Sequence, residues 1–229
     1  MTPDLPAVEL AIVEATNVFR AENRLKAVRR NPQLDRAARA YARYLARTGK
    51  FSHTADGRRL TDRTREAGYN HCLAAENLAL NADSRGFAAK ALARAAVTGW
   101  IKSPGHRRNM LLTNATEIGV GVAKARLQHR YLSVQLFGRP KRLSFSFRIR
   151  NTSRRSVHYV FDGQASVLPR RTVVTHTTCI PGQLTIRRAA GDKGAGQFRE
   201  RTFRVATEDE FHIVPIAGGI RVEHHPKSN

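Results

Sequence analysis

The chain has 229 residues, 41% of them hydrophobic, and 40 Lys and Arg stand against 18 Asp and Glu for a formal net charge of +22. Such a length suits one domain of about 130 residues and a smaller second one, and it offers nothing near the roughly 18 consecutive apolar residues of a membrane span. The excess charge is shared, +12 over residues 1–138 and +10 over 139–229, so it makes either a solvated surface or a field that draws polyanions.

Met1-Thr2-Pro3-Asp4-Leu5-Pro6 has no basic stretch followed by an apolar core, so no export signal is visible there; the chain is either cytosolic or a processed form. Residues 6–29 predict an amphipathic helix, with Val8, Ala11, Ile12, Ala15, Val18 and Phe19 at helical spacing. Asn31-Pro32 predicts the start of a second helix, Asn as N-cap and Pro in the first turn, whose apolar face runs through Leu34, Ala38, Tyr41 and Leu45 to a C-terminal Gly49. Phe51-Ser52-His53-Thr54-Ala55-Asp56-Gly57 reads as a loop on its Asp-Gly turn. A short helix follows over Leu60 to Ala67, stopped by Gly68.

An apolar run around Ala75-Glu76-Asn77-Leu78 comes next, and an Ala-rich helix over residues 86–102 puts Trp100 on its core side. Ser103-Pro104-Gly105-His106 predicts another helix start, with Ser103 as N-cap. Alternation in Ile118–Val122 and Tyr131–Phe137 predicts two strands. Helices on a small sheet make a layered α+β domain over 1–138.

Beyond Gly138-Arg139-Pro140 helix signals stop. Strand-like runs at Leu143–Ile149, Val157–Phe161, Thr172–Thr177, Gln183–Arg187, Phe198–Val205, Phe211–Pro215 and Gly219–Val222 are separated by turns such as Asp162-Gly163 and Gly191-Asp192-Lys193-Gly194. They predict a small all-β sandwich over 139–229. His224-His225 reads as exposed tail.

Glu76 is the residue with chemical content. A carboxylate in an apolar run is costly to bury without partners, and His53 and His106, each beside a turn, could supply them. The result is either a hydrogen-bonded polar cluster bracing loops or a His₂Glu set for Zn²⁺ or another divalent metal, completed by water. Ser103 beside His106 is better explained as a cap than as a nucleophile, since no Gly-x-Ser-x-Gly elbow exists in the chain. The remaining histidines show no useful spacing, and no nucleic-acid motif accompanies the charge. Cys72 and Cys179 have no Cys-x-x-Cys context, so they are two thiols or one bridge.

Four segments in order carry a resemblance: Phe51-Ser52-His53 with Asp56-Gly57; Ala75-Glu76-Asn77-Leu78-Ala79; Trp100 through Leu111; and Glu117–Val122 followed by Tyr131–Gly138. With Asn17–Asn23 they resemble the CAP superfamily (cysteine-rich secretory proteins, antigen 5 and pathogenesis-related 1 proteins; the SCP domain), in its bacterial extracellular branch. The resemblance implies a three-layer α/β/α sandwich, a mostly antiparallel sheet and an open cleft lined by a tetrad of two His and two acids. His53, Glu76 and His106 carry over; Asn77, Ser103, Arg107, Asn109 and Gln135 would support the cleft. The second acid is absent, with Ser103 in its place after Trp100-Ile101-Lys102, which weakens metal binding.

The resemblance further implies a secreted or periplasmic protein and a bridge between Cys72 and Cys179, the latter in the appended β-rich domain. It implies no one reaction and no obligatory cofactor. A non-enzymatic binding module for a lipid, an anionic surface, a wall polymer or a protein is the favoured reading. A metal-assisted hydrolase using His53, Glu76 and His106, and a basic nucleic-acid binder, are the alternatives.

Overall fold

The computed structural model describes residues 2–126, 129–188, 200–217 and 219–227. The chain divides into two compact units, Met1–Arg142 and Leu143–Asn229.

The first unit is the predicted three-layer sandwich. Its helices are α1 (Leu5–Glu22), α2 (Pro32–Thr48), α3 (Leu60–Glu66), α4 (Ala89–Lys102) and α5 (Pro104–Met110); its strands are β1 (Arg29–Arg30), β2 (His71–Ala82), β3 (Glu117–Lys124) and β4 (Arg130–Pro140). The sheet order is β1-β3-β4-β2, antiparallel except for β1 beside β3. One face buries Val120, Val122, Tyr131 and Phe137 against α1 and α4. The other buries Leu78, Leu132, Val134 and Leu136 against α2. Period-2 alternation along β2 and β4 thus feeds two separate cores.

Helix α2 begins and ends at the residues its sequence predicts. Asn31 Oδ1 accepts from the backbone N–H groups of Gln33 and Leu34 at 2.9 and 3.2 Å, and Gly49 closes the helix in the left-handed region. Helix α1 stops at Glu22, short of the predicted 29. Asn23 donates to the Phe19 carbonyl at 2.7 Å, and Asn17 grips both the N–H and the carbonyl of Val28. The returning segment then supplies β1, whose Arg29 and Arg30 pair in parallel with Glu117 and Ile118. Side-chain amides outbid the helical ladder there.

Buried carboxylates and amides finish the sheet edges. Asp35 accepts from Val120 N at 2.9 Å and Glu9 from Val122 N at 3.3 Å, where β1 is too short to cover β3. On the far edge, the β2 carbonyls of Glu76 and Leu78 accept from Asn109 Nδ2 (3.1 Å) and Trp100 Nε1 (2.9 Å). Unpaired edge groups would otherwise cost free energy on burial.

The second unit has two four-stranded sheets around one core. One contains β6 (Val157–Phe161), β7 (Gln164–Leu168), β9 (Gln183–Arg188) and β10 (Arg201–Arg204); the other contains β5 (Phe145–Asn151), β8 (Thr172–Thr178), β11 (Glu210–Ile216) and β12 (Gly219–His225). Phe147, Ile149, Tyr159, Ile186, Phe211 and Ile213 fill the space between them. Two sequence expectations change. Gln164–Leu168 is a strand, paired with β6 across the Asp162-Gly163 turn, both of whose residues have positive φ. His224 and His225 are exposed as expected but belong to β12, not to a tail: the His224 ring stacks on Phe211 at 4.6 Å, and its Nε2 lies 3.3 Å from the buried Asp209. The expected Gly191–Gly194 turn, and Phe198 at the start of its run, lie outside the described residues.

Both cysteines, Cys72 and Cys179, are disulfide-bonded, as the resemblance implied.

Candidate functional site

Glu76 lies on the edge strand β2, in register with Leu136, and shares the α2 face with Leu78; its neighbour Asn77 points to the α1 face. An edge strand lets loops from both layers meet over it, and this is how three distant segments come together.

The Glu76 side chain is 3% exposed, and both of its oxygens are engaged. His53 Nδ1 donates to Oε1 at 2.8 Å. Arg63 Nη2, from α3, donates to Oε2 at 2.8 Å. Arg63 is itself buried and gathers the loop around it. Its Nη1 donates to the His53 carbonyl (3.1 Å), the Arg58 carbonyl (2.9 Å) and Asp56 (3.3 Å). Its guanidinium carbon sits 3.6 Å from the centroid of the Tyr41 ring. Tyr41, from α2, donates to the Ser52 carbonyl and accepts from Ala55 N at 3.0 Å. Burial pushes the Asp56 carboxyl up, but Arg58 and Arg63 outweigh it and hold it below the ordinary value.

On the other face, Asn77 Nδ2 donates to the His106 carbonyl (3.1 Å) and to Gln135 Oε1 (2.9 Å), and Asn109 donates to Asn77 Oδ1 at 2.9 Å. Gln135 in turn donates to Thr16 of α1 at 2.8 Å. Arg20, fully buried, donates to the Met110 and Leu112 carbonyls at 2.7 and 3.0 Å and so pins the end of α5.

Of the expected site residues, His53 and Glu76 are joined directly, and Asn77, Asn109 and Gln135 form one chain behind them. The His106 ring makes no hydrogen bond to Glu76; its backbone is what Asn77 holds. Ser103 takes the N-cap position of α5, but its hydroxyl makes no capping bond. Arg107 lies over the Phe19 ring at 5.4 Å. Glu76's second partner was expected to be an imidazole and is the Arg63 guanidinium.

That substitution bears on the metal. A divalent ion does not fit beside Glu76, because one carboxylate oxygen faces an N–H donor and the other a fixed cation. Among the described residues, no group of three or more His, Cys, Asp and Glu is set to hold a metal.

The imidazoles titrate in opposite directions. The hydrogen bond to Glu76, aided by its charge, raises His53 above the ordinary histidine value. Burial, then the charge of His53, lowers His106. The His53–Glu76 contact therefore stabilises the fold fully below the ordinary histidine value and fades as pH rises through the raised one. His106 contributes in its neutral form, above the ordinary value, and loses that contribution as pH falls through its lowered one. An NMR titration should resolve two curves on either side of free histidine, and Glu76→Gln should bring His53 down. Coincident curves would refute this geometry.

A layered α/β/α unit with this polar cluster on an edge strand defines a class of small sandwich domains. The model of the cysteine-rich secretory protein family, CAP, matches residues 13–137, so the chain belongs to that family. Among solved structures it is similar to an extracellular SCP-domain protein from Bacillus anthracis (27% identity, 59% of this chain and 41% of that one, TM-score 0.49). It is similar also to an outer surface protein from Borrelia burgdorferi (24%, 57% and 90%, TM-score 0.48) and to NaASP2, crystallised with Zn²⁺ (14%, 58% and 79%, TM-score 0.44). The chain spans less than half of the Bacillus anthracis protein. No curated protein matches it.

Proposed function

We propose that this chain is an exported, secreted or periplasmic, binding module and not a hydrolase. The observation that carries this reading is the full engagement of Glu76. A general base or a metal ligand needs a free oxygen within reach of water or substrate, and this carboxylate is buried with His53 on one oxygen and Arg63 on the other. The cluster shapes the loop and leaves the His53 ring half-exposed.

An apolar ligand suits the surface of this unit. Between α1 and α4 runs a groove of about 560 Å³, floored by Ala15, Ala93, Val97 and Ile101 and edged by Val18, 59% exposed. Its size falls in the range of small-molecule sites. No helix among the described residues is long and apolar enough to cross a membrane.

The test is co-sedimentation of the purified chain, at physiological salt, with phosphatidylcholine vesicles, phosphatidylglycerol vesicles and an insoluble acidic wall polymer. Capture by at least one is expected; failure with all three removes the reading. Dialysis against EDTA should leave the thermal midpoint unchanged. Casein cleavage that vanishes in His106→Ala would instead establish the hydrolase. A steep salt slope for duplex DNA, with no capture by vesicles or polymer, would establish the nucleic-acid binder.

A further inference from the structure

A second hollow opens at the other end of β2 and β4, where α2 finishes. Leu45, Phe51, Leu80 and Leu132 form its apolar wall, and its volume is about 230 Å³. Phe51 and Leu80 are 50% and 46% exposed, so folding leaves this apolar surface wet. Three arginines, Arg47, Arg126 and Arg130, stand around it, and no Asp or Glu lines it.

What sets the hollow apart is that its three cations gather around exposed apolar side chains with no acid in the lining. Elsewhere in the unit Arg30, Arg39, Arg58, Arg63, Arg85 and Arg142 reach a carboxylate, whereas others, such as Arg20 and Arg36, bond backbone carbonyls. Among the described residues, no ion pair joins Arg47, Arg126 or Arg130 to a carboxylate. Arg47 instead lies 5.6 Å from the Tyr44 ring centroid. An apolar pocket under a rim of guanidinium donors complements a ligand with an alkyl body and an anionic head. The hollow is smaller than a drug-sized site, which suits one unbranched chain and not a fused ring system or a two-chain lipid.

We propose that this hollow binds a free single-chain fatty acid, its alkyl segment against Leu45, Phe51, Leu80 and Leu132 and its carboxylate among Arg47, Arg126 and Arg130. The proposal stands apart from the α1–α4 groove and survives if that groove proves empty. It also gives the loop between α2 and α3 two uses, since Phe51 walls the hollow and His53, two residues on, meets Glu76.

Sodium laurate, kept below its micelle concentration, is the probe, titrated into the full chain by calorimetry and by methyl NMR. Saturable binding is expected, with shifts at the Leu45, Leu80 and Leu132 methyls. Dodecyltrimethylammonium, with the same chain and a cationic head, should bind at least tenfold more weakly. Arg130→Glu and Leu80→Asp, both at exposed positions, should each weaken laurate at least tenfold while leaving the unfolding transition of Trp100 in place. The proposal is overturned by absent saturation, by equal binding of the cationic amphiphile, or by either variant binding within twofold of the parent. Shifts confined to Val18, Val97 and Ile101 overturn it too. Capture by phosphatidylglycerol vesicles without monomeric laurate binding would make the hollow a membrane contact and end the free-chain reading.

Discussion

Truncating Arg63 to alanine is expected to lower the stability of the first unit by about 3–5 kcal/mol, the range for breaking a buried ion pair from one side. The cause is what the mutation strands. Glu76 would keep only His53 while remaining 3% exposed. The carbonyls of His53 and Arg58 would lose their donor, and Tyr41 its stacked cation. Arg63→Lys keeps the charge but not the planar fork that reaches four partners, so it should recover only part of the loss. The double variant Arg63→Ala with Glu76→Gln should cost less than the two single changes added together, because the uncompensated carboxylate is gone.

Urea unfolding followed by the fluorescence of Trp100, the chain's one tryptophan, reports on this unit. The titration of His53 gives a second readout. Arg63 holds His53 down by its charge, so the alanine variant should raise His53 further. An Arg63→Ala protein within 1 kcal/mol of the parent, with an unmoved His53 curve, would show that Glu76 does not need its guanidinium. The binding-module reading would then lose its main support.

Much of this site could be read before any coordinates. His53 in its loop, Glu76 in an apolar run, His106 at a helix start, the capped second helix and the strand alternation in Ile118–Val122 all have local signals, and the pattern of four ordered segments placed them in a family. Arg63 had no such signal. It is one of 40 basic residues, on a helix of seven residues whose buried face the sequence does not mark. Its role exists only because α3 lies beside β2, a tertiary fact. The same applies at 6–29, where helical periodicity continues on paper but the Asn17 and Asn23 amides hold the backbone in another path. His224 is solvated as its sequence suggests, but its place in a strand depends on pairing with β11, which puts Phe211 and Asp209 against it. β7 follows a visible turn yet has few β-branched residues, so only pairing with β6 makes it a strand.

Gly119 and Gly121 were legible as positions in a strand, but not as the reason α2 can lie where it does. A Cβ on Gly121 would sit 2.2 Å from Arg39 N and 2.3 Å from the Ala38 carbonyl carbon; on Gly119 it would sit 2.3 Å from the Leu34 carbonyl carbon. These are backbone atoms of a helix, which no side-chain rotation moves aside, and the distances are far inside van der Waals contact. Nor can α2 simply lift. Asp35 is bonded to Val120 N, Asn31 N to the Ile118 carbonyl, and Arg39 to the Glu9 that caps Val122 N. Gly121→Ala is therefore expected to cost about 3 kcal/mol or more, at the upper end for overpacking. It should also loosen the His53 loop, because Tyr41 on the displaced helix holds Ser52 and Arg63. Gly99→Ala is the matched control. That glycine is exposed within α4 with nothing within 4 Å of the added carbon, so the change should stabilise by roughly 0.5–1 kcal/mol through helix propensity alone. Urea curves read at Trp100 should move in opposite directions for the two variants. Equal or parallel shifts would mean that the close approach of α2 to β3 is not what the glycines provide.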